Sequence, residues 1–256
     1  MVRKDASQTD IAWRVLGSAA NRLTRMLLKV QWLHTEKLPK NGAYIATPNH
    51  LTNADPVVLT GFFYANGYAS KFLTKGALFK NKIVGGALRS IGQIPVYRDA
   101  KDPSKALSEA RQELANGSTI VIYPEGTFTR DPKRWPMKGK TGAARLALET
   151  DTPVIPVAHW GLLDFMPIGT AKAKFNRPKV RIIVGDPVDL SEFKGKEIDR
   201  DLLHNATEKI MDAVTELLEE LRGEKAPEHR WDMKTDGNAI IDDDGNIITN
   251  DIHKDS

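Results

Sequence analysis

Short apolar runs alternate with stretches of helical periodicity over most of the chain. The apolar runs predict strands at Ala43–Ala46, Gln93–Tyr97, Thr119–Tyr123, Val154–Val157 and Val180–Val184. Helical spacing predicts a helix from Pro56, helical stretches between Thr74 and Arg89, and helices at Pro103–Ala115, Gly142–Glu149 and Asp199–Leu221. Strands separated by helices of this length are typical of α/β layer folds, so we expect a central, largely parallel sheet flanked by helices.

The N-terminal region predicts one amphipathic helix from Ile11 to Leu33. Its apolar residues recur at helical spacing, at Ile11, Val15, Leu16, Leu23, Met26, Leu27 and Val30. Basic and small polar residues occupy the other side, including Arg14, Arg22, Arg25 and Lys29. Such a helix either packs against a protein core or lies in the interface of a bilayer, and the pattern alone leaves both open.

The composition, with 41% hydrophobic and 27% charged residues in 256, is that of a globular protein with one α/β domain. We expect a helix over residues 1–35, the domain over 36–222 and a flexible acidic tail over 223–256. No signal peptide is expected at Met1–Asp10, and the weakly charged stretch Pro56–Ala69 is too short to span a bilayer. The absence of cysteine excludes thiolate nucleophiles and cysteine-bound zinc.

The net charge of +4 is unevenly distributed. Residues 223–256 hold 4 Lys or Arg against 9 Asp or Glu, which makes this tail −5 and the remainder +9. A basic body attracts nucleic acid, phospholipid headgroups or phosphorylated substrates. The sequence shows neither a basic helix nor an aromatic platform suited to nucleic acid, which is therefore the least favoured of these partners.

The first candidate for chemistry is the segment ATPNHLTNAD, residues 46–55, which leaves a predicted strand at the sheet edge where α/β folds bind ligands. His50 can take a proton from an attacking hydroxyl, and the Asp55 carboxylate can orient the imidazole. Asp55 also precedes Pro56 and an apolar run, which is a common helix start. Both roles are compatible with the sequence.

Two further segments place polar residues after buried strands. GQIPVYR, residues 92–98, ends in Arg98, whose planar fork matches a phosphate. IYPEGTFTR, residues 122–130, offers the amides of Gly126 and Thr127 to phosphate oxygens, while Glu125 suits a hydroxyl or a basic group better. Positive charge upstream comes from Lys71, Lys75, Lys80 and Lys82.

Several other chemistries are disfavoured. Gly139-Lys140-Thr141 lacks the preceding glycine of a nucleotide-binding loop, because that position is Arg134. Asp242–Gly245 has neither the register nor the glutamate of a calcium loop. The chain contains no His-Glu-x-x-His and no Gly-x-Ser-x-Gly, so we expect no metal, no acyl-serine intermediate and no cofactor.

Taken in order, NHLTNAD, GQIPVYR, YPEGT and VIPVA resemble the four sequence blocks of the glycerolipid acyltransferase family, over residues 49–158. The resemblance implies direct acyl transfer from acyl-CoA or acyl-ACP (acyl carrier protein) to a glycerophosphate hydroxyl, with His50 as base and Asp55 orienting it. It implies the sn-2 hydroxyl of 1-acylglycerol 3-phosphate as acceptor, with phosphatidate as product. It assigns substrate binding to Arg98, Glu125, Gly126 and Thr127, to which we add Lys75 and Arg130 as basic candidates, whereas His159 and Trp160 look structural.

One position departs from the family pattern, which commonly has arginine and then serine after Glu-Gly-Thr. Here Phe128 and Thr129 follow, and Arg130 comes one step later. Two interpretations are open: either Arg130 takes the place of the missing phosphate ligand, or Phe128 indicates a different acceptor or a lipid contact. Glycerol 3-phosphate and other lysophospholipids therefore remain alternative acceptors, and a non-catalytic lipid-binding module and a thioester hydrolase remain alternative functions.

The resemblance also bears on location, because the substrates of this family lie in a bilayer. It favours membrane contact by the N-terminal helix, Ile11–Leu33, with its basic residues facing anionic lipid. We accordingly expect a cytoplasmic enzyme, peripheral on the inner face of the cell membrane.

Overall fold

A computed structural model describes residues 11–97, 104–168, 170, 172–241 and 247–251. The helices are α1 Ile11–Leu27, α2 Asp55–Ala65, α3 Lys82–Ser90, α4 Ser104–Ala115, α5 Gly142–Thr150 and α6 Arg200–Arg222. The strands are β1 Lys29–Leu33, β2 Tyr44–Pro48, β3 Ser70–Lys75, β4 Ile94–Val96, β5 Thr119–Val121, β6 Val154–Trp160, β7 Lys179–Val184, β8 Asn238–Ile241 and β9 Ile247–Asp251. Short 3₁₀ helices occupy Thr35–Lys37, Gly76–Lys80, Leu162–Asp164 and Ser191–Phe193.

Seven strands form one sheet in the order β1-β7-β6-β2-β5-β3-β4. Every neighbouring pair is parallel except β6 and β7, so the largely parallel sheet expected from the sequence is confirmed. β1 and β7 consequently run opposite to the other five strands. The carboxyl ends of β2, β3, β4, β5 and β6 meet at one edge, called the catalytic edge below, and β1 begins there.

Apolar side chains cover both faces of the sheet. On one face α2 packs Val58, Leu59 and Phe62 into a cluster that includes Phe72 of β3 and Ile182 of β7. The other face is covered by α4, α5 and α6 through a cluster of their own, with members Ala110, Leu146, Ala206 and Ile210. The strands of the centre are therefore buried on both faces, which explains their continuous apolar runs.

The prediction of one helix from Ile11 to Leu33 is wrong beyond Leu27. Residues Lys29–Leu33 form β1, which pairs with β7 from Lys29 opposite Lys179 to Leu33 opposite Ile183. The apolar spacing continues through Val30, so periodicity alone cannot detect the change, and the backbone pairing with β7 decides the conformation. In the described part of the chain, no helix combines the length and the apolar character needed to cross a bilayer.

The range expected to be a flexible tail makes defined contacts in its described part. Arg230 pairs with Glu208 and Asp212 of α6, and the amide of Lys138 donates to the carbonyl of Trp231. β8 and β9 form an antiparallel pair. The composition of this segment is acidic, but it is a basic residue, Arg230, that joins the segment to two carboxylates of α6.

Candidate active site

The turn that follows β2 places His50 at the catalytic edge. All five residues of β2 are buried between β5 and β6, and Asn49 and His50 follow Pro48 directly. α2 then begins at Asp55, with Pro56 in its first turn. The N-cap residue is Ala54, so Asp55 is the first helical residue and its side chain is available for other contacts than capping.

The structure brings His50 and Asp55 together. Nδ1 of His50 lies 2.9 Å from Oδ2 of Asp55, which is fully buried. The same carboxylate accepts hydrogen bonds from the amides of Leu51 (2.6 Å) and Thr52 (3.0 Å) and from the Thr52 hydroxyl (2.8 Å). Four donors on one carboxylate fix its position, and through it the orientation of the imidazole.

The charge state of Asp55 follows from these contacts. Burial by itself raises the pKa of Asp55, but His159 and His50 together hold this pKa well below its usual range through their charges and hydrogen bonds. An ionised Asp55 requires Nδ1 of His50 to carry the proton that joins them. Nε2 of His50 is then the basic nitrogen, which is the arrangement that general base catalysis requires.

Two aromatic rings enclose the imidazole. Tyr123 stacks on His50 with ring centroids 3.9 Å apart and an interplanar angle of 19°, and Phe128 contacts the ring at 4.4 Å and 59°. Burial raises the pKa of Tyr123, and the negative charge of Asp55 raises it further. The phenol of Tyr123 therefore stays neutral. Phe128, the residue that departs from the family pattern, thus packs on the candidate base.

A second histidine touches the buried carboxylate. Nε2 of His159 lies 3.4 Å from Oδ2 of Asp55 and 3.0 Å from the carbonyl oxygen of Asn49. The Asn49 side chain completes a clasp, since its Oδ1 accepts from the amide of His159 and its Nδ2 donates to the His159 carbonyl. The clasp holds the end of β2 against β6, immediately before His50. The sequence indicated only a structural role for His159 and gave no sign of its contact with Asp55.

Glu125 supports the backbone of His50. Its Oε1 accepts from the amide of His50 at 3.0 Å and its Oε2 from the amide of Met137 at 3.1 Å, in a fully buried position. Burial raises the pKa of Glu125 to about 8, against the opposing effect of these two hydrogen bonds. These contacts give Glu125 a positioning role, and the substrate contact that the resemblance implies for it stays a prediction.

The loop after β5 is folded tightly around this glutamate. Gly126 has a φ of 69°, and its amide donates to the carbonyl of Tyr123, whereas the sequence suggested a phosphate oxygen as its acceptor. A side chain at Gly126 would meet Lys140 at 3.1 Å. Lys140, which the sequence presented only as part of a rejected nucleotide loop, therefore brings a cation beside Gly126.

The remaining predicted site residues are more dispersed. Thr127 and Arg130 are half-buried in the same loop, and Lys75 is exposed at the carboxyl end of β3. Arg98 lies outside the described residues. Among the residues that the structure does describe, no group of three or more His, Cys, Asp or Glu side chains is arranged to hold a metal ion.

Comparison with known proteins identifies the family and the fold that this chain resembles. The family model described as Acyltransferase matches residues 29–160, slightly more than half of the chain. A chloroplast 1-acyl-sn-glycerol-3-phosphate acyltransferase of Brassica napus is 28% identical over 155 residues, which are 60% of this chain and 43% of the relative. The chain thus spans less than half the length of that relative.

Two bacterial proteins are similar over larger shares of their length. The 1-acyl-sn-glycerol-3-phosphate acyltransferase of Bacillus subtilis is 27% identical over 165 residues, covering 64% of this chain and 76% of the relative. The crystal structure of the 1-acyl-sn-glycerophosphate (LPA) acyltransferase of Thermotoga maritima superimposes with a TM-score of 0.63 at 25% identity. That superposition covers 84% of this chain and 81% of the other.

Proposed function

The chain belongs to the Acyltransferase family, and on this premise we propose that it is a 1-acylglycerol-3-phosphate acyltransferase. The reaction moves a fatty acyl group from acyl-CoA or acyl-ACP to the sn-2 hydroxyl of the acceptor and gives phosphatidate. The relatives from Brassica and Bacillus are named for this acceptor, which supports the proposal. The observation that carries the proposal is the His50–Asp55 pair at the catalytic edge, with one imidazole nitrogen bonded to a buried carboxylate.

In the mechanism that we propose, Nε2 of His50 removes the proton of the acceptor hydroxyl. The hydroxyl oxygen then attacks the thioester carbonyl carbon and forms a tetrahedral intermediate. Collapse of this intermediate breaks the carbon–sulfur bond, and the proton on Nε2 passes to the leaving sulfur. The negative charge of Asp55 stabilises the imidazolium between these two steps. No acyl-enzyme forms in this mechanism, because the acceptor hydroxyl attacks the thioester directly. The absence of cysteine from the sequence agrees with this, since the chain has no thiol that could carry the acyl group.

The acceptor phosphate needs cations near His50. Lys75 lies at the carboxyl end of β3 and Arg130 in the loop after β5, so both are at the catalytic edge. We assign the phosphate to these residues together with Arg98, which follows β4 in the sequence. Lys140 beside Gly126 adds a further cation at the same loop. Together these residues offset the missing arginine at position 128.

The packing of α1 supports peripheral membrane contact. Trp13, Gly17 and Thr24 are the buried residues of α1, and a side chain at Gly17 would clash with Tyr64 of α2 at 2.5 Å. Four large apolar residues of α1 are exposed: Ile11, Val15, Leu23 and Met26. At 100° per residue these two sets lie on nearly opposite sides of the helix. The face turned to solvent therefore carries these four apolar side chains together with the exposed Arg14, Arg22 and Arg25, a combination that suits an anionic bilayer surface.

The experiment that tests the function is thiol release with product analysis. The protein is incubated with oleoyl-CoA or oleoyl-ACP, with and without 1-oleoylglycerol 3-phosphate, and lipids are identified by mass spectrometry. We expect thiol release that depends on the acceptor, together with phosphatidate. Release without acceptor would instead indicate a thioester hydrolase, and acceptor binding without release from either donor would indicate a lipid-binding module. Glycerol 3-phosphate and lysophosphatidylcholine, tested in parallel, distinguish the alternative acceptors.

A further inference from the structure

The exposed large apolar side chains of the described residues are unevenly distributed. Four of them, Ile11, Val15, Leu23 and Met26, follow the outer face of α1. The other six lie in segments that adjoin the catalytic edge: Val57, Leu78, Ile83, Val84, Tyr97 and Phe175. α4, α5 and α6, on the other face of the sheet, expose no large apolar residue in this set. Apolar exposure concentrated around one site marks an interaction surface.

One continuous part of this surface is the segment Gly76–Val84, called the rim segment below. It leaves the carboxyl end of β3 as a 3₁₀ helix and enters the first turn of α3. Ile83 is 85% exposed, and Leu78 and Val84 are 48% and 45% exposed. The Asn81 side chain caps α3 by accepting from the amides of Ile83 and Val84, which fixes the backbone of these two residues at the start of the helix.

The same segment is positively charged. Lys80 and Lys82 alternate with its apolar residues and are both exposed. From Pro56 to Tyr97 the sequence contains no aspartate or glutamate, although it contains four lysines and an arginine. A protein partner of ordinary composition would meet the charges of Lys80 and Lys82 here. Apolar side chains that project between lysines match a bilayer with anionic headgroups, where the ammonium groups stay at the phosphate level.

The position of the rim segment relative to α1 strengthens this choice of partner. α1 ends next to the start of β1, at one end of the sheet, whereas the rim segment leaves β3 near the other end. Five strand spacings of roughly 4.8 Å separate β1 from β3, which is about 24 Å. His50 follows β2, so it lies between the end of α1 and the rim segment along the sheet.

We propose that the rim segment Gly76–Val84 is a second membrane-contact element, which docks the catalytic edge on an anionic phospholipid bilayer. Ile83, Val84 and Leu78 enter the interface, and Lys80 and Lys82 contact the headgroup phosphates. The purpose of this contact rests on the proposed function: when the catalytic edge lies on the bilayer, a lysophospholipid reaches His50 without leaving the membrane. Vesicle binding itself requires no catalysis and can be measured independently.

The test uses two double variants and a matched control. Ile83→Ser/Val84→Ser removes the apolar contacts, and Lys80→Glu/Lys82→Glu reverses the charge. Lys196→Glu/Arg200→Glu makes the same charge change on two exposed residues, one shortly before α6 and one at its first position, at the opposite edge of the sheet. Flotation is measured with phosphatidylcholine vesicles that contain about 30% phosphatidylglycerol, at roughly 0.1 M salt. Circular dichroism melting curves establish that each variant is folded.

Each lysine near an anionic leaflet strengthens binding about fivefold, so Lys80→Glu/Lys82→Glu is expected to weaken it by roughly 25-fold or more. Ile83→Ser/Val84→Ser is expected to weaken it by about tenfold, also on neutral vesicles. The control variant should bind within about twofold of the wild type. Equal binding by all four proteins would overturn the proposal, as would equal losses in the control and the rim variants.

Activity separates this proposal from the proposed function. With a short-chain lysophosphatidate dissolved as monomers, the rim variants should retain wild-type activity, while with acceptor presented in vesicles they should lose activity in parallel with binding. An inactive wild type with intact, rim-dependent vesicle binding would contradict the proposed function and leave the membrane contact supported. Rim variants that are equally impaired with monomeric and vesicle acceptor would contradict the membrane role and place the segment within the catalytic machinery.

Discussion

Glu125 provides a prediction about stability whose size follows from the structure. In the unfolded chain its carboxyl has the ordinary pKa of 4.5, and in the folded protein burial raises this pKa to about 8. Between these two values the folded state keeps a proton that the unfolded state has lost. The contribution of Glu125 to stability is therefore complete below about pH 4.5 and falls as the pH rises toward 8.

The slope of this loss is about 1.4 kcal/mol per pH unit for one group. Between about pH 5.5 and 7.5 the free energy of unfolding should fall by roughly 2.7 kcal/mol because of Glu125. Glu125→Gln removes the titration but keeps the shape and one acceptor oxygen for the amides of His50 and Met137. At the lower pH the variant should be the less stable protein, since its amide NH₂ faces one of these N–H donors.

The assay is urea denaturation of wild type and Glu125→Gln at both pH values. The difference in unfolding free energy between the two proteins should shift by roughly 2.7 kcal/mol in favour of the variant as the pH rises. Other ionisable groups are common to both proteins and cancel in this difference. Parallel pH dependences would refute the reasoning, because they would mean that the two backbone donors outweigh burial and keep Glu125 ionised throughout.

Three further predictions concern the base and the N-terminal helix. Phe128→Leu should lower kcat by about twofold to tenfold in steady-state assays with little change in melting temperature, because it removes one ring contact from His50; an unchanged kcat would contradict that role. Asp55→Asn should lower kcat by about 10²-fold to 10⁴-fold while the fold persists, and activity within tenfold of wild type would exclude Asp55 from the mechanism. Gly17→Ala should destabilise the protein by about 1 to 3 kcal/mol in urea because of Tyr64, whereas Gly86→Ala, with open space at its Cβ, should not; equal effects would contradict the packing of α1 on α2.

The sequence predicted the α/β architecture because the central strands are buried on both faces and the helices between them are long enough to show their period. It missed β3, Ser70–Lys75, since Lys71, Thr74 and Lys75 break the apolar run. It extended α1 through β1 because Val30 continues the helical spacing. Both errors have the same origin: strands near the ends of a sheet are selected by pairing with a neighbour, which a local pattern does not contain.

The candidate site was predictable only for residues that belong to one segment. His50 and Asp55 are five positions apart, so the hydrogen bond between them follows from a strand, a turn and a helix start. The contacts of His159 with Asp55 and of Glu125 with the amide of His50 join segments more than 70 residues apart. They depend on the order of β5, β2 and β6 in the sheet, and that order is a property of the packed fold.

The most direct test of the central claim is the rate of thiol release from an acyl thioester in the presence of 1-acylglycerol 3-phosphate for wild type, His50→Ala and His204→Ala. His204 is exposed on α6 and serves as the matched control. Removing a general base should lower the acceptor-dependent rate of His50→Ala by about 10²-fold or more, with vesicle binding unchanged and His204→Ala as active as the wild type. Acceptor-dependent release by His50→Ala at the wild-type rate would contradict the account.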